Sequence, residues 1–394
     1  MNIRSYSWYA DTLSWSTVLV ELANAFYDLG HNFMAISTNG MNQSLFKRKN
    51  MMIDSLLGVQ KFGPGKQAID LDLTYTVPQN FGQRFLSNSK HKAAIYTFEY
   101  QYWRSDWRQY YGLVDLYFPP SDFAAEVFYN NGVPADRIFV VPHGIDLSKF
   151  NATIPPYPLK TSKSFRFLSV VAPHSRKRID VLLKAYCEAF TAKDDVCLVL
   201  KTKLFDRADT TRQPYEVCVG EYLNELRTKY GSYMPEIEVV DQRLNQVCSL
   251  YNACHVHITT TGSEGWGIPM LEAMAAGGTT GRGLVNIATN YSGQLHFLNP
   301  NNSLLIDYKF VPALPEDQYW GFDARNKLAQ ADQTHTSELM IKAYREYESL
   351  LDRFVPEARR TVEQYTWVKA AQRMLDVCDG KVQPYVPGTV RLPK

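Results

Sequence analysis

The feature that most constrains this chain is a rhythm. Short apolar runs alternate with longer stretches whose apolar positions recur at helical spacing. Met1–Tyr9 reads as a strand, and Phe33–Ser37 as a second one. Between them Ser14–Leu29 reads as a helix, with Val18, Leu19, Leu22, Ala25, Phe26 and Leu29 on one face and Gly30 closing it. Strand, helix, strand is the crossover that parallel strands require, so a parallel sheet flanked by helices is expected. Leu73–Val77, Ala93–Phe98, Leu113–Phe118 and Ile138–Val141 continue the series as strands, with a helix over Ser121–Asn131.

Asn151–Ser164 breaks the rhythm with Pro155, Pro156 and Pro158, and is expected to link two domains. A second series follows. Strands are expected at Phe167–Ala172, Val196–Lys201, Ile237–Val240, Val256–Thr260 and Leu284–Thr289. Helices are expected at Ile179–Thr191, Tyr215–Tyr230, Gln246–Cys254, Pro269–Ala276, Ala324–Leu328, Ser337–Asp352 and Pro356–Cys378, then an extended tail. The 394 residues accommodate two such α/β domains, and 45% hydrophobic content excludes a disordered chain. Doubly wound sheets bind ligands at the carboxyl ends of their strands.

The segment Thr259–Gly278, TTTGSEGWGIPMLEAMAAGG, carries the chemistry. A strand ends, a glycine loop follows, and a helix starts near Pro269, where a missing N–H costs nothing. Gly265 and Gly267 let backbone approach a ligand, and the helix N-terminus attracts anions such as a diphosphate. Glu264 and Glu272 flank the loop. Carboxylates repel phosphate but accept hydrogen bonds from sugar hydroxyls. The bland alternative makes Glu264 a dipole-favoured charge and Glu272 a solvated helix residue.

Glu264, seven residues and Glu272, in the context S-E-G-W-G-I-P-M-L-E-A-M-A-A-G, resemble the E-x7-E motif of retaining GT-B glycosyltransferases of family 4. Val140–Asp146 (VVPHGID) resembles that family's segment closing the N-terminal domain. Phe167–Ala185 resembles its strand, loop and helix whose basic residues hold the donor diphosphate. The resemblance implies two Rossmann-like doubly wound domains facing a central cleft. Residues 1–157 would bind the acceptor, 158–355 the nucleotide sugar, and 356–394 would pack back on the first domain. It implies that Glu264 contacts the donor sugar and Glu272 the nucleotide ribose. Arg176 and Lys177 would hold the diphosphate, and Gly265, Trp266, Gly267 and Ile268 would line the nucleotide site. Glu264, Arg176 and Lys177 form the expected catalytic group. Basic residues at a helix start suit the dipole only when an anion binds there; a solvated basic surface is the alternative.

Tyr96–Ser121 resembles a subgroup pattern with a glutamate after a strand and a tryptophan further on, matched by Glu99 and Trp107. Glu99, by that match, and His143, by its place in VPHGID, are expected at the acceptor or cleft side. A salt bridge from Glu99 to Arg104 or Arg108 is the competing reading. The chain departs from the family at Ala172, where many members have an arginine. It departs again at Ala10–Ser16, which lacks glycine, and at Gly277–Gly283, a longer loop bearing Arg282 and read as a tolerated surface loop.

The expected activity is retaining transfer of a hexose or pentose from a nucleoside-diphosphate sugar to an acceptor hydroxyl on a glycan or lipid-linked glycan. Two alternatives stand beside it: transfer to a hydroxymethylated DNA base, and a non-catalytic sugar-nucleotide-binding partner subunit. No cofactor and no metal are expected. Asp70-Leu71-Asp72 resembles a metal-binding D-x-D but precedes a strand, and no histidines or cysteines show metal-ligand spacing. The dense rings Tyr100, Tyr102, Trp103, Trp107, Tyr110 and Tyr111 are expected to pack a core. With 42 basic and 40 acidic residues, bulk charge demands no polyanionic partner. The stretch 41–92, however, holds eight basic residues against three acids, and is expected to allow peripheral membrane contact. With no apolar span, no leader and six cysteines read as reduced thiols, a cytoplasmic location is expected.

Overall fold

The computed structural model describes residues 1–9, 14–41, 46, 68–85, 88–205, 209–317 and 323–393. Residues 10–13 of the first loop and much of the basic stretch, including Lys47, Arg48, Lys49, Lys61 and Lys66, lie outside them. The chain forms two compact units. Unit 1 comprises Met1–Gly144 with Tyr365–Leu392, and unit 2 comprises Ile145–Gln364.

Unit 1 is built on a parallel sheet of order β2-β1-β3-β4-β5: β1 (Asn2–Tyr9), β2 (Asn32–Met41), β3 (Ile69–Tyr75), β4 (Ser89–Ile95) and β5 (Leu116–Tyr117). Helix α1 (Ser14–Asp28) buries Val18, Leu19, Leu22, Ala25 and Phe26, the stripe its sequence spacing predicts. Helix α2 (Asp122–Asn130) starts where Ser121 accepts from the Ala124 amide. The expected strand at Leu113–Phe118 shrinks to two residues, because Ser105–Leu113 winds as a 3-10 helix around buried Trp107 and Tyr111. Tyr96, Phe98, Trp103, Trp107 and Phe128 pack edge to face, so these rings are core. Asp72 of the D-x-D is fully buried. It accepts from Arg4 at 2.7 and 2.8 Å and from Ser89 at 2.8 Å.

Unit 2 carries a six-stranded parallel sheet of order β11-β10-β9-β6-β7-β8: β6 (Phe165–Val170), β7 (Val196–Lys201), β8 (Glu236–Val240), β9 (Val256–Thr259), β10 (Val285–Thr289) and β11 (Leu304–Ile306). Alternation splits each strand between two faces. Phe165 and Phe167 of β6 and Val196, Leu198 and Leu200 of β7 meet α3 (Ile179–Ala189), α4 (Val219–Tyr230), α7 (Gln333–Arg345) and α8 (Tyr347–Gln364). Leu168, Cys197 and Val199 meet α5 (Cys248–Asn252) and α6 (Ile268–Ala275) on the other face. Apolar side chains on both faces explain why these strands read as unbroken apolar runs.

The proline-bearing segment 151–164 packs as part of unit 2. Asn252 donates to the Asn151 and Ile154 carbonyls at 2.9 and 2.7 Å. The Tyr157 amide reaches the Ser249 carbonyl at 2.8 Å, and Ile154, Tyr157 and Leu159 cover apolar core. The helix expected at Ala324–Leu328 is absent. Lys327–Ala331 is instead β13, paired antiparallel with β12 (Tyr308–Pro312). A distant strand partner outweighs the local helical preference of Lys-Leu-Ala-Gln-Ala. The last helix, α9 (Trp367–Cys378), belongs to unit 1 and packs on α1.

Candidate functional site

Strand order in unit 2 reverses at β6. The chain runs from β6 outward to β7 and β8, then returns to lay β9 on the other side of β6. The loops after β6 and β9 therefore leave the sheet in opposite directions and open a crevice between them. Residues 173–178 leave β6, and residues 260–267 leave β9. These are the two loops singled out in the sequence.

They are joined by backbone. The Gly262 amide donates to the Arg176 carbonyl at 2.7 Å, and Thr260 Oγ1 donates to the Arg178 carbonyl at 2.8 Å. This fastening brings Arg176, Lys177 and Glu264 together. Lys177 Nζ binds Glu264 Oε1. Arg176 Nη1 donates to the Ser263 carbonyl at 2.7 Å and lies 3.4 Å from Glu264 Oε2. Arg176 and Glu264 are buried. Burial alone pushes the Glu264 carboxyl up. Lys177 and then Arg176 more than reverse that, with hydrogen bonds from Lys177 and Thr261, and hold it at about 2. Two cations against one carboxylate leave the loop with a surplus positive charge. Burial, with Arg176 and Lys177 beside it, pushes His174 down to about 3, so it adds no charge.

The Glu264 loop is braced from behind. Its Glu264 amide donates to Ser292 Oγ at 2.8 Å, and the Gly293 amide donates to the Glu264 carbonyl at 2.8 Å. Ser292 has φ 74°, which few non-glycine residues adopt. A Cβ on Gly293 would sit 2.2 Å from the Gly265 carbonyl oxygen, so only glycine fits. Trp266 is buried against Phe297 and His296, with ring centroids 4.9 and 5.5 Å away. Gly267, at φ 100°, turns the chain into α6, where Ile268 is partly exposed and Pro269 follows.

Glu272 lies on the first turns of α6 and is partly exposed. Fully buried Tyr251 of α5 donates to its Oε2 at 2.8 Å. Withdrawal from water pushes the Glu272 carboxyl up to about 7, against the lowering effect of Tyr251. Arg359 of α8 caps the far end of α6, donating to the Ala275 and Ala276 carbonyls at 2.5 and 3.1 Å. Sequence reasoning missed Tyr251, Ser292 and Arg359. Tyr251 and Arg359 have no local signal. The Ser-Gly pair after β10 is a turn signature that could have flagged Ser292.

Ala172 is exposed. Arg282 is spent on Glu348 at 2.7 Å and on Asp352, in keeping with a surface loop. Glu99 and His143 belong to unit 1. Glu99 follows β4 and is buried. Arg104 pairs with Asp106 at 2.7 Å, and Arg108 Nε donates to the Asn131 carbonyl at 3.4 Å. His143 is buried with its ring 6.3 Å from that of Tyr75, the last residue of β3, and 5.8 Å from that of Trp367. Burial pushes it down to about 3, so it is neutral. Among the described residues no group of three or more histidine, cysteine or acidic side chains is arranged to hold a metal. None of their helices is long and apolar enough to cross a membrane.

No family model and no curated protein matches the chain. Solved structures do. A glycosyltransferase from Rickettsia africae superposes at TM-score 0.69 with 15% identity, over 96% of this chain and 98% of its own. HepE of Anabaena, solved with UDP and glucose, gives 0.70 with 13% identity, over 96% and 100%. Sucrose-phosphate synthase of Thermosynechococcus elongatus gives 0.64 with 14% identity, over 96% and 99%. Likeness at this identity establishes the fold, GT-B, with two Rossmann-like units in one chain.

Proposed function

We propose that this chain is a retaining glycosyltransferase of the family 4 type, drawing on a nucleoside-diphosphate sugar. The observation that carries the reading is the pair Arg176 and Lys177 held against Glu264 at the strand-order reversal of unit 2. The E-x7-E spacing supports it, as does the fold shared with the Rickettsia africae glycosyltransferase and with HepE, which was solved with UDP and glucose.

Without donor, Glu264 keeps both cations in place. A diphosphate carries more negative charge than one carboxylate and takes the cations over. Glu264 is then left to accept a hydrogen bond from a sugar hydroxyl, and Glu272 accepts from the ribose. As the bond from the anomeric carbon to the diphosphate breaks, charge grows on the leaving oxygen, where Arg176 and Lys177 stabilise it. The acceptor oxygen attacks from the same face, and its proton passes to the leaving diphosphate. Two side-chain cations do the work that a divalent ion does elsewhere, so the reading includes no metal. The acceptor is a hydroxyl of a glycan or lipid-linked glycan.

The test is a thermal-shift and hydrolysis screen against UDP-, GDP-, ADP- and dTDP-sugars. One donor is expected to raise the melting temperature by several degrees and to be hydrolysed slowly without acceptor, unaffected by EDTA. Glu272→Ala is expected to abolish the shift. No shift with any donor would sink the reading.

A further inference from the structure

The β12–β13 hairpin is an antiparallel addition to a parallel domain, and it is tied to both loops of the candidate donor site. The Ala329 amide of β13 donates to the Gly262 carbonyl at 3.0 Å, and the Gly262 amide in turn holds the Arg176 carbonyl. Between the strands, the 3-10 turn Pro315–Asp317 reaches the other loop. Ser175 Oγ donates to the Glu316 carbonyl at 2.8 Å, and Arg178 Nη2 lies 3.2 Å from Asp317 Oδ2. The Asp317 side chain is fully buried, and its Oδ2 also accepts from the Leu314 amide at 2.8 Å.

Arg178 is an unusual residue to hold. Its φ of 52° and ψ of 44° place it in the left-handed region, where a side chain with a Cβ is strained. It is also the junction between the 3-10 turn Ser175–Lys177 and α3. A strained junction persists only where its surroundings over-determine it. Here Asp317 fixes the guanidinium and Thr260 fixes the carbonyl. The conformation at Arg178 sets the direction in which the two preceding residues, Arg176 and Lys177, present their charges.

We propose that Asp317 is a positioning residue for the diphosphate: through Arg178 it holds the 175–178 turn so that Arg176 and Lys177 meet the phosphates. The inference rests on the reading of this site as a nucleoside-diphosphate site. It assigns the hairpin a role in phosphate recognition, separate from the recognition of ribose by Glu272. Loss of Asp317 then weakens the contribution of the phosphates and leaves that of the nucleoside.

Calorimetric titration of the full chain tests this. The probes are whichever of UDP, GDP, ADP and dTDP binds the wild type, and the matching nucleoside. Asp317→Asn, which keeps shape and removes charge, is expected to weaken the diphosphate tenfold or more while changing nucleoside affinity less than twofold. Ser175→Ala, which cuts the uncharged tie to Glu316, is expected to act in the same direction by about two- to threefold; it keeps the test decisive if Asp317→Asn does not fold. Asp323→Asn removes the exposed Arg325 pair on the same hairpin and is expected to change neither affinity. Equal weakening of nucleoside and diphosphate makes Asp317 a merely structural residue and overturns the proposal. Tighter diphosphate binding also overturns it, by showing Arg178 to be a phosphate ligand that Asp317 holds away. A wild type that binds none of the four diphosphates overturns the donor-site reading itself, a failure visible before any variant is made.

Discussion

Glu272 is a residue at this site whose charge changes near neutrality. Glu264 is held at about 2, and His174 and His257 are pushed by burial to about 3 and about 4. Cys248 is pushed to about 11, and Tyr251 well above its ordinary value. Glu272, raised to about 7, titrates between pH 6 and 8. A ribose hydroxyl donates better to a carboxylate than to a neutral acid, so binding favours the ionised form. With a carboxyl at about 7, the ionised fraction grows roughly tenfold from pH 6 to pH 8. Sugar-nucleotide affinity is therefore expected to rise by up to about tenfold over that interval and then level off. Titration with the sugar nucleotide, whose diphosphate does not protonate in this window, checks it. Glu272→Gln is expected to flatten the profile, and a profile equally steep in that variant refutes the assignment. Fold stability moves the other way. A carboxyl raised above its unfolded value contributes fully below the ordinary carboxylate range, and the contribution is lost as pH rises through about 7.

The loop after β10 decides whether the Glu264 loop holds its shape. A methyl group on Gly293 would meet the Gly265 carbonyl oxygen at 2.2 Å and the Glu264 carbonyl oxygen at 2.7 Å, both backbone atoms that cannot swing aside. Gly293→Ala is expected to cost ~1–3 kcal/mol by overpacking, a fall of several degrees in Tm, and to abolish the donor-induced shift. A variant that melts lower yet keeps the full shift would separate the loop from the site. At this scale the sequence was informative where partners are local. Val196–Lys201 and the start of α3 at Ile179 fall where periodicity and burial place them, because each strand buries both faces and each helix one stripe. The Glu264 and Glu272 loop was legible because glycine, proline and two glutamates in fixed spacing have a local physical meaning. What failed depended on distant chain. β13 is a strand only because β12 lies beside it. Pro356 opens a helix in the sequence reading yet lies inside α8, whose buried face of Leu350, Leu351, Phe354 and Ala358 outweighs one lost hydrogen bond. The brace on Arg178 from Asp317 joins residues 139 positions apart and leaves no local mark.

Across the whole molecule, unit 1 is discontinuous: it needs the last stretch of a chain that has meanwhile built unit 2. Thr366 caps α9 by accepting from the Lys369 amide at 3.3 Å, and α9 then lays Trp367, Ala370, Ala371, Met374 and Leu375 inward. The seat is shaped to receive it, since a Cβ on Gly144 would lie 2.2 Å from the Trp367 amide nitrogen. Beyond the helix, Tyr385 and Gly388 reach buried Glu126 of α2 at 2.6 and 2.8 Å. Burying one large apolar side chain contributes ~1.5–3 kcal/mol, so Trp367, Met374 and Leu375 together rival the ~5–15 kcal/mol net stability of a typical domain. Truncation after Gln364 is thus expected to unfold unit 1 while unit 2, which keeps all of α8 with its buried Leu350, Leu351, Phe354, Ala358 and Val362, keeps its transition. Calorimetry of the truncated chain should then show a single transition, and proteolysis should leave a fragment close to Ile145–Gln364. If the donor site is complete in unit 2, that fragment should still bind the nucleoside diphosphate. Loss of both transitions on truncation would mean that the two units do not fold independently.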